Sequence, residues 1–211
     1  MKKMLCILTA GFLALVGAQA SFAQGMSFFI TSSGSGNGGD LGGLEGADAH
    51  CQMLAESADA GDRTWRAYLG TQEEGRRGVD ARSRIGNGPW YNAAGILIAV
   101  NLDDLHLNNN LVRNTSLDEN GNRVNGRGDS PNQHDTLTGA MADGTAFFAG
   151  QPDRTCSNWT SSDEGQAMVG HFDRQGGGNT SWNAAHPSRS CSQPDLIATG
   201  GNGLFMCFAA D

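Results

Sequence analysis

The alternation of apolar and polar positions is clearest at the end of the chain. Gly203-Leu204-Phe205-Met206-Cys207-Phe208-Ala209 is a short uncharged run set off by the turn-forming Thr199-Gly200-Gly201-Asn202, which predicts a buried strand that brings a thiol into the core last. Met26-Ser27-Phe28-Phe29-Ile30-Thr31, aromatic and β-branched, predicts a strand that ends in the Gly/Ser-rich residues 32–39. Residues 44–58 place Ala47, Cys51, Leu54 and Ala58 at i, i+4, i+7 and i+11, one apolar stripe of a helix. Asp48 lies in an early turn of that helix and Gly61 follows its end, as helix polarity prefers. Trp65, Ala67 and Leu69 alternate with Arg66 and Tyr68 in a half-buried strand, and residues 79–85 read as a short helix. Further strands are expected at Ile96-Leu97-Ile98-Ala99-Val100, at Thr155-Cys156-Ser157-Asn158-Trp159-Thr160 and at Ala167-Met168-Val169-Gly170. Between residues 101 and 154 the apolar period is lost, and Asn108-Asn109-Asn110, Asn120-Gly121-Asn122 and Gly126-Arg127-Gly128-Asp129 replace it. A stretch of this length without period is usually functional or held by something.

The start of the chain changes the setting. Met1-Lys2-Lys3, an apolar stretch to Val16, and small residues around Ala20 and Ala23 have the pattern of a secretory signal peptide, residues 1–23, removed from a domain of residues 24–211. The expected location is the periplasm or the extracellular medium, with no membrane insertion. Lys2 and Lys3 are the only lysines, so 12 arginines then face 22 acidic residues, a net charge near −10. That excludes nucleic acid and anionic membranes as partners and leaves carboxylates for cations. Four cysteines remain after Cys6 is lost: Cys51, Cys156, Cys191 and Cys207. In an exported chain they form two disulfides, by any of three pairings.

Leu44-Glu45-Gly46-Ala47-Asp48-Ala49-His50-Cys51 and Thr64-Trp65-Arg66-Ala67-Tyr68-Leu69 resemble the first helix and second strand of the endostatin domain of collagens XV and XVIII. Thr155-Cys156-Ser157-Asn158-Trp159-Thr160, Ser190-Cys191-Ser192 and Leu204-Phe205-Met206-Cys207 resemble its later cysteine-bearing segments. The resemblance implies an α+β, C-type lectin-like fold: two helices, a small twisted antiparallel sheet joining the termini, and a long loop region. It also implies nested bridges, Cys51–Cys207 and Cys156–Cys191. Endostatin's basic heparin surface and its N-terminal zinc-binding histidines have no counterpart in this chain.

Oxygen-rich loops suggest calcium as a cofactor. Asp118, Asn120, Asn122 and Asp129 stand at positions 1, 3, 5 and 12 of an EF-hand-like loop, although Arg123 occupies the place of its glycine. A hairpin turned at Asn120-Gly121 is the favoured reading there. Asp129, Asn132, His134, Asp135 and Asp143 make a second cluster able to hold calcium and, through it, sugar hydroxyls. Trp182-Asn183 resembles the Trp-Asn-Asp element of calcium-dependent lectins, with Ala184 in place of the acid. Trp90, beside Gly88-Pro89, is the candidate for surface stacking on a sugar ring. Arg127-Gly128-Asp129 reproduces an integrin-binding tripeptide and is read as coincidence. His134-Asp135, His171-x-Asp173 and His186 pair bases with orienting acids, but no nucleophile motif accompanies them. The expected function is a non-catalytic exported module that binds carbohydrate or an extracellular protein; the alternatives are a self-assembling envelope protein and, behind it, a hydrolase.

Overall fold

The computed structural model describes residues 25–211; the signal-peptide reading falls outside them. The elements are β1 (Phe28–Ile30), α1 (Gly43–Ser57), β2 (Trp65–Ala67), a 3-10 turn at Ala81–Ser83, β3 (Trp90–Tyr91) and β4 (Leu97–Ala99). They continue with α2 (Leu102–Leu107), β5 (Asp135–Leu137), α3 (Cys156–Trp159), β6 (Met168–His171), β7 (His186–Pro187), α4 (Gln193–Thr199) and β8 (Gly201–Ala209). The architecture is α+β.

Strand β8 is the axis of the sheet. On one edge it takes β1, with Phe28 opposite Phe208 and Ile30 opposite Met206. On the other edge its C-terminal half takes β2 and its N-terminal half takes β5 in parallel, beyond which β6 and β7 follow. The expected all-antiparallel sheet is therefore mixed. Side chains alternate across a strand, and both faces of β8 are covered. Phe205, Cys207 and Ala209 pack with Phe29, Leu54 and Trp65 in the layer that holds α1. Leu204, Met206 and Phe208 join Phe28, Tyr68, Trp90 and Phe172 on the other side. A strand sandwiched in this way needs an apolar residue at nearly every position, and each large side chain so buried contributes about 1.5–3 kcal/mol.

Two disulfides, Cys51–Cys207 and Cys156–Cys191, close loops of 156 and 35 residues. The pairing implied by the resemblance holds, and it bolts α1 to the last strand. Bridges of this kind persist in oxidising compartments, which fits an exported protein. Asp48 reinforces the same junction: its carboxylate accepts from Arg84, Arg66 and the Ala67 N–H, tying α1 to β2. Among the described residues no helix is long and apolar enough to cross a membrane.

Three local expectations are corrected. The helix expected over residues 79–85 shortens to the 3-10 turn, because Arg77 and the Ala146 N–H bond the Asp80 side chain in a local turn. The strand expected at residues 155–160 is α3, a single turn wound left-handed, with φ between 50° and 67° at all four residues. L-residues avoid this conformation by roughly 1–2 kcal/mol each. The Trp159 N–H to Thr155 carbonyl bond, the buried Trp159 indole donating to the Gly70 carbonyl and the Cys156 bridge hold it in place. The loop expected over residues 101–154 contains α2, whose Asn101 side chain caps the Asp104 N–H, and the sheet strand β5.

Candidate metal centre

Strand register builds the site. Asp135 opens β5, and the β5–β6 ladder sets it directly opposite His171, the last residue of β6. Directly opposed residues share a face of the sheet, so carboxylate and imidazole meet: His171 Nε2 lies 3.3 Å from Asp135 Oδ1. On the parallel side Asp135 faces Gly201 of β8, which has no side chain to compete for the space. His134 precedes the strand proper, where alternation no longer binds it. Its ring stacks on that of His171 with centroids 4.3 Å apart and planes 14° from parallel. Room for this ring depends on Gly200, at φ 108°, because a Cβ there would sit 3.3 Å from His134 Nε2 and 2.7 Å from Asn132 Nδ2. The same φ is costly for any L side chain.

Proton placement defines what the rings offer. His134 Nδ1 is 3.2 Å from Asp173 Oδ1, and a carboxylate only accepts, so Nδ1 carries the proton. Nε2 of a neutral ring then presents a lone pair, and it lies 3.2 Å from Asp135 Oδ1. His186 repeats the arrangement: its Nδ1 donates to the Pro187 carbonyl at 3.0 Å, and its Nε2 lies 3.7 Å from Asp135 Oδ2. Asp173 accepts two further bonds, from the Arg127 and Gln175 N–H groups. Burial works to raise the Asp173 pKa, but the bonds from His134, Arg127 and Gln175 outweigh it and hold the carboxyl below the ordinary carboxylate range.

The inner atoms, by contrast, lack partners. Neither oxygen of Asp135 and neither ring nitrogen of His171 has a hydrogen bond, although the residues are only 3% and 4% exposed. More than nine in ten buried polar groups are bonded in folded proteins, and a buried carboxylate without a donor is costly. The His134 Nε2 lone pair therefore faces the Asp135 carboxylate, acceptor to acceptor, across 3.2 Å. A cation between them converts this repulsion to attraction. For metal–ligand bonds of about 2.0–2.1 Å the edge of a tetrahedron is about 3.3 Å, and the two imidazole nitrogens lie 3.2 and 3.3 Å from Asp135 Oδ1. Among the described residues His134, Asp135 and His171 are the three whose donor atoms all lie within 4.8 Å of one another.

The residues named from sequence separate on this map. Asp135 and His134 belong to the centre, and Asn132 sits beside it, its side chain accepting from the His134 N–H. The calcium set does not converge. Asp118 accepts from the Asn120 and Asn122 N–H groups within a hairpin, as the favoured reading had it. Asp129 is paired with Arg113 and accepts from the Gly126 N–H. Asp143 accepts from both the N–H and the hydroxyl of Thr145. Each carboxylate is satisfied by its own turn, which also ties down the Asp of the Arg-Gly-Asp tripeptide.

The aromatic candidates are corrected. Trp90 is 1% exposed, packed on Phe208 and donating to the Ala209 carbonyl, so it has no face for a sugar. Trp182, 2% exposed, packs on Tyr68 and His106. Asn183 is buried and donates to the Tyr68 hydroxyl and to two backbone carbonyls. The base–acid pairs read along the chain are exchanged in space: His134 bonds Asp173 while His171 faces Asp135. That exchange turns two separate pairs, with His186 beside them, into one centre.

A scan against protein-family models finds no match to this chain, and a search of curated proteins returns no similar sequence.

Proposed function

We propose that the chain is an exported binding module of C-type lectin-like fold that holds one divalent transition-metal ion, zinc by its donor set, through His134, Asp135 and His171. The fold part of this reading is supported by the pairing of the first and last strands of the described residues and by the bridge from α1 to β8. The metal part is carried by one observation: the buried Asp135 carboxylate makes no hydrogen bond and faces two imidazoles. Two imidazoles and a carboxylate suit zinc, cobalt, nickel or copper, whereas calcium and magnesium take oxygen ligands almost exclusively. Asp173 completes the arrangement as the outer carboxylate that orients a ligating histidine. The module is therefore read as holding a transition ion at the end of the β5–β6 ladder rather than calcium in the loops.

The test is equilibrium dialysis of chelator-stripped protein against zinc and, separately, calcium, with metal analysis of the dialysed chain. One zinc per chain, no retained calcium and loss of zinc in His171→Ala are expected. Failure to retain zinc, or retention undiminished in a His171→Ala/Asp135→Asn double variant, overturns the reading.

A further inference from the structure

We infer that His186 marks an exchangeable fourth position of the centre, on its solvent side, where a small anion such as a carboxylate takes the ion's outward coordination site. This inference rests on the metal reading above. His134 Nε2, Asp135 Oδ1 and His171 Nε2 form one triangular face at spacings of 3.2 and 3.3 Å from the shared oxygen. All three side chains are at most 6% exposed. A fourth ligand must come from the other side of the ion, and His186, which stands outside the close group of three, differs from its members in each relevant respect. Its side chain is 38% exposed, it lies 3.7 Å away, and it addresses the other carboxylate oxygen, Oδ2. It sits on a strand of two residues that is paired only with β6, so little of the sheet holds its backbone rigid.

The surroundings favour an anion. A divalent ion with one carboxylate ligand leaves the centre with a positive charge, which Asp173 offsets only from behind His134. Arg127 adds to that positive charge: a Cβ on Gly176 would lie 2.9 Å from His171 Nδ1 and 3.3 Å from an Arg127 guanidinium nitrogen, which places cation and ligand ring against the same glycine. Gly176 belongs to the run Gly176-Gly177-Gly178, which carries no side chains, and residues 177–180 beside it are exposed. Closed four-ligand sites serve structure, whereas sites that keep an exchangeable position bind further ligands.

The experiment loads the full chain with cobalt(II), whose visible absorption reports coordination, and titrates azide into wild type, His186→Ala, His186→Gln and His171→Ala. Wild type and both His186 variants are expected to take up one cobalt, the variants with affinity lowered by about tenfold, the modest end of what ligand-sphere losses cost. Azide is expected to shift the band in all three and to half-saturate at a lower concentration in the His186 variants, where the competing imidazole is gone. A wild-type band indifferent to azide overturns the inference, whatever the His186 variants do, and leaves a closed site. Loss of cobalt from both His186 variants as complete as from His171→Ala does the same. Failure of wild type to take up cobalt removes the metal reading itself, and the two failures are told apart by that measurement.

Discussion

Asp135→Asn separates the cost of the centre from its use, because the two effects have opposite signs. Without a metal ion the carboxylate is buried and makes no hydrogen bond. Leaving a buried charge uncompensated costs roughly 3–5 kcal/mol, and an unpaired neutral amide about 1–3 kcal/mol. The substitution therefore relieves about 2 kcal/mol while keeping shape, and the β5 backbone bonds do not involve the side chain. For the 187 residues from Gly25 to Asp211, an unfolding entropy of about 2.1 cal/mol/K per residue converts 1 kcal/mol to about 2.5 °C in Tm. Stripped Asp135→Asn should thus melt about 5 °C above stripped wild type. Zinc at 100 times its Kd stabilises a one-site protein by about 2.7 kcal/mol, or about 7 °C, and this gain should be present in wild type and missing in the variant. Differential scanning calorimetry at pH 8 of both proteins, stripped and zinc-loaded, gives all four temperatures. A stripped variant that melts several degrees below wild type, or that keeps the zinc shift, refutes the argument.

Two further predictions concern the scaffold. In the chain-entropy treatment, loops of 156 and 35 residues make Cys51→Ala/Cys207→Ala cost about 5 kcal/mol and Cys156→Ala/Cys191→Ala about 4 kcal/mol; relaxation of the left-handed turn at Cys156 widens that gap, and denaturant melts showing the reverse order would contradict it. Burial holds His106 below the usual imidazole range against the opposing pull of the Leu102 carbonyl, while its Nε2 accepts from the Tyr68 hydroxyl. Its folded pKa lies under the unfolded value, so the unfolded chain binds the extra proton and this contribution is complete above about pH 6.5 and lost as pH falls through the folded pKa. Urea melts at pH 7.5, 6 and 5 should show a weaker decline in His106→Gln than in wild type, and equal declines would count against it.

Local pattern determined much of the scaffold. The uncharged run at residues 203–209 announces a strand covered on both faces, and the stripe of Ala47, Cys51 and Leu54 announces the face of α1 that meets it. Ala55 replaces Ala58 on that face because the helix ends at Ser57. Capping residues at Asn101 and Ser192 mark α2 and α4, signals that the surrounding turn-forming residues obscured. Composition likewise fixed the acidic charge and the cysteine chemistry.

The centre was decided only by the assembled fold. Along the chain His134 is adjacent to Asp135 and His171 lies near Asp173, and each pair looks complete on its own. Register exchanges the partners: one hydrogen-bonded ladder sets residue 135 opposite residue 171, and the turn after β6 brings Asp173 to His134. Cross-strand register is a property of the paired sheet, as is the burial of Asp135 and His171. The same holds for Trp90 and Trp182, which no local pattern distinguishes from surface residues. Spacing names the groups that can do chemistry, but only packing determines which of them must face one another.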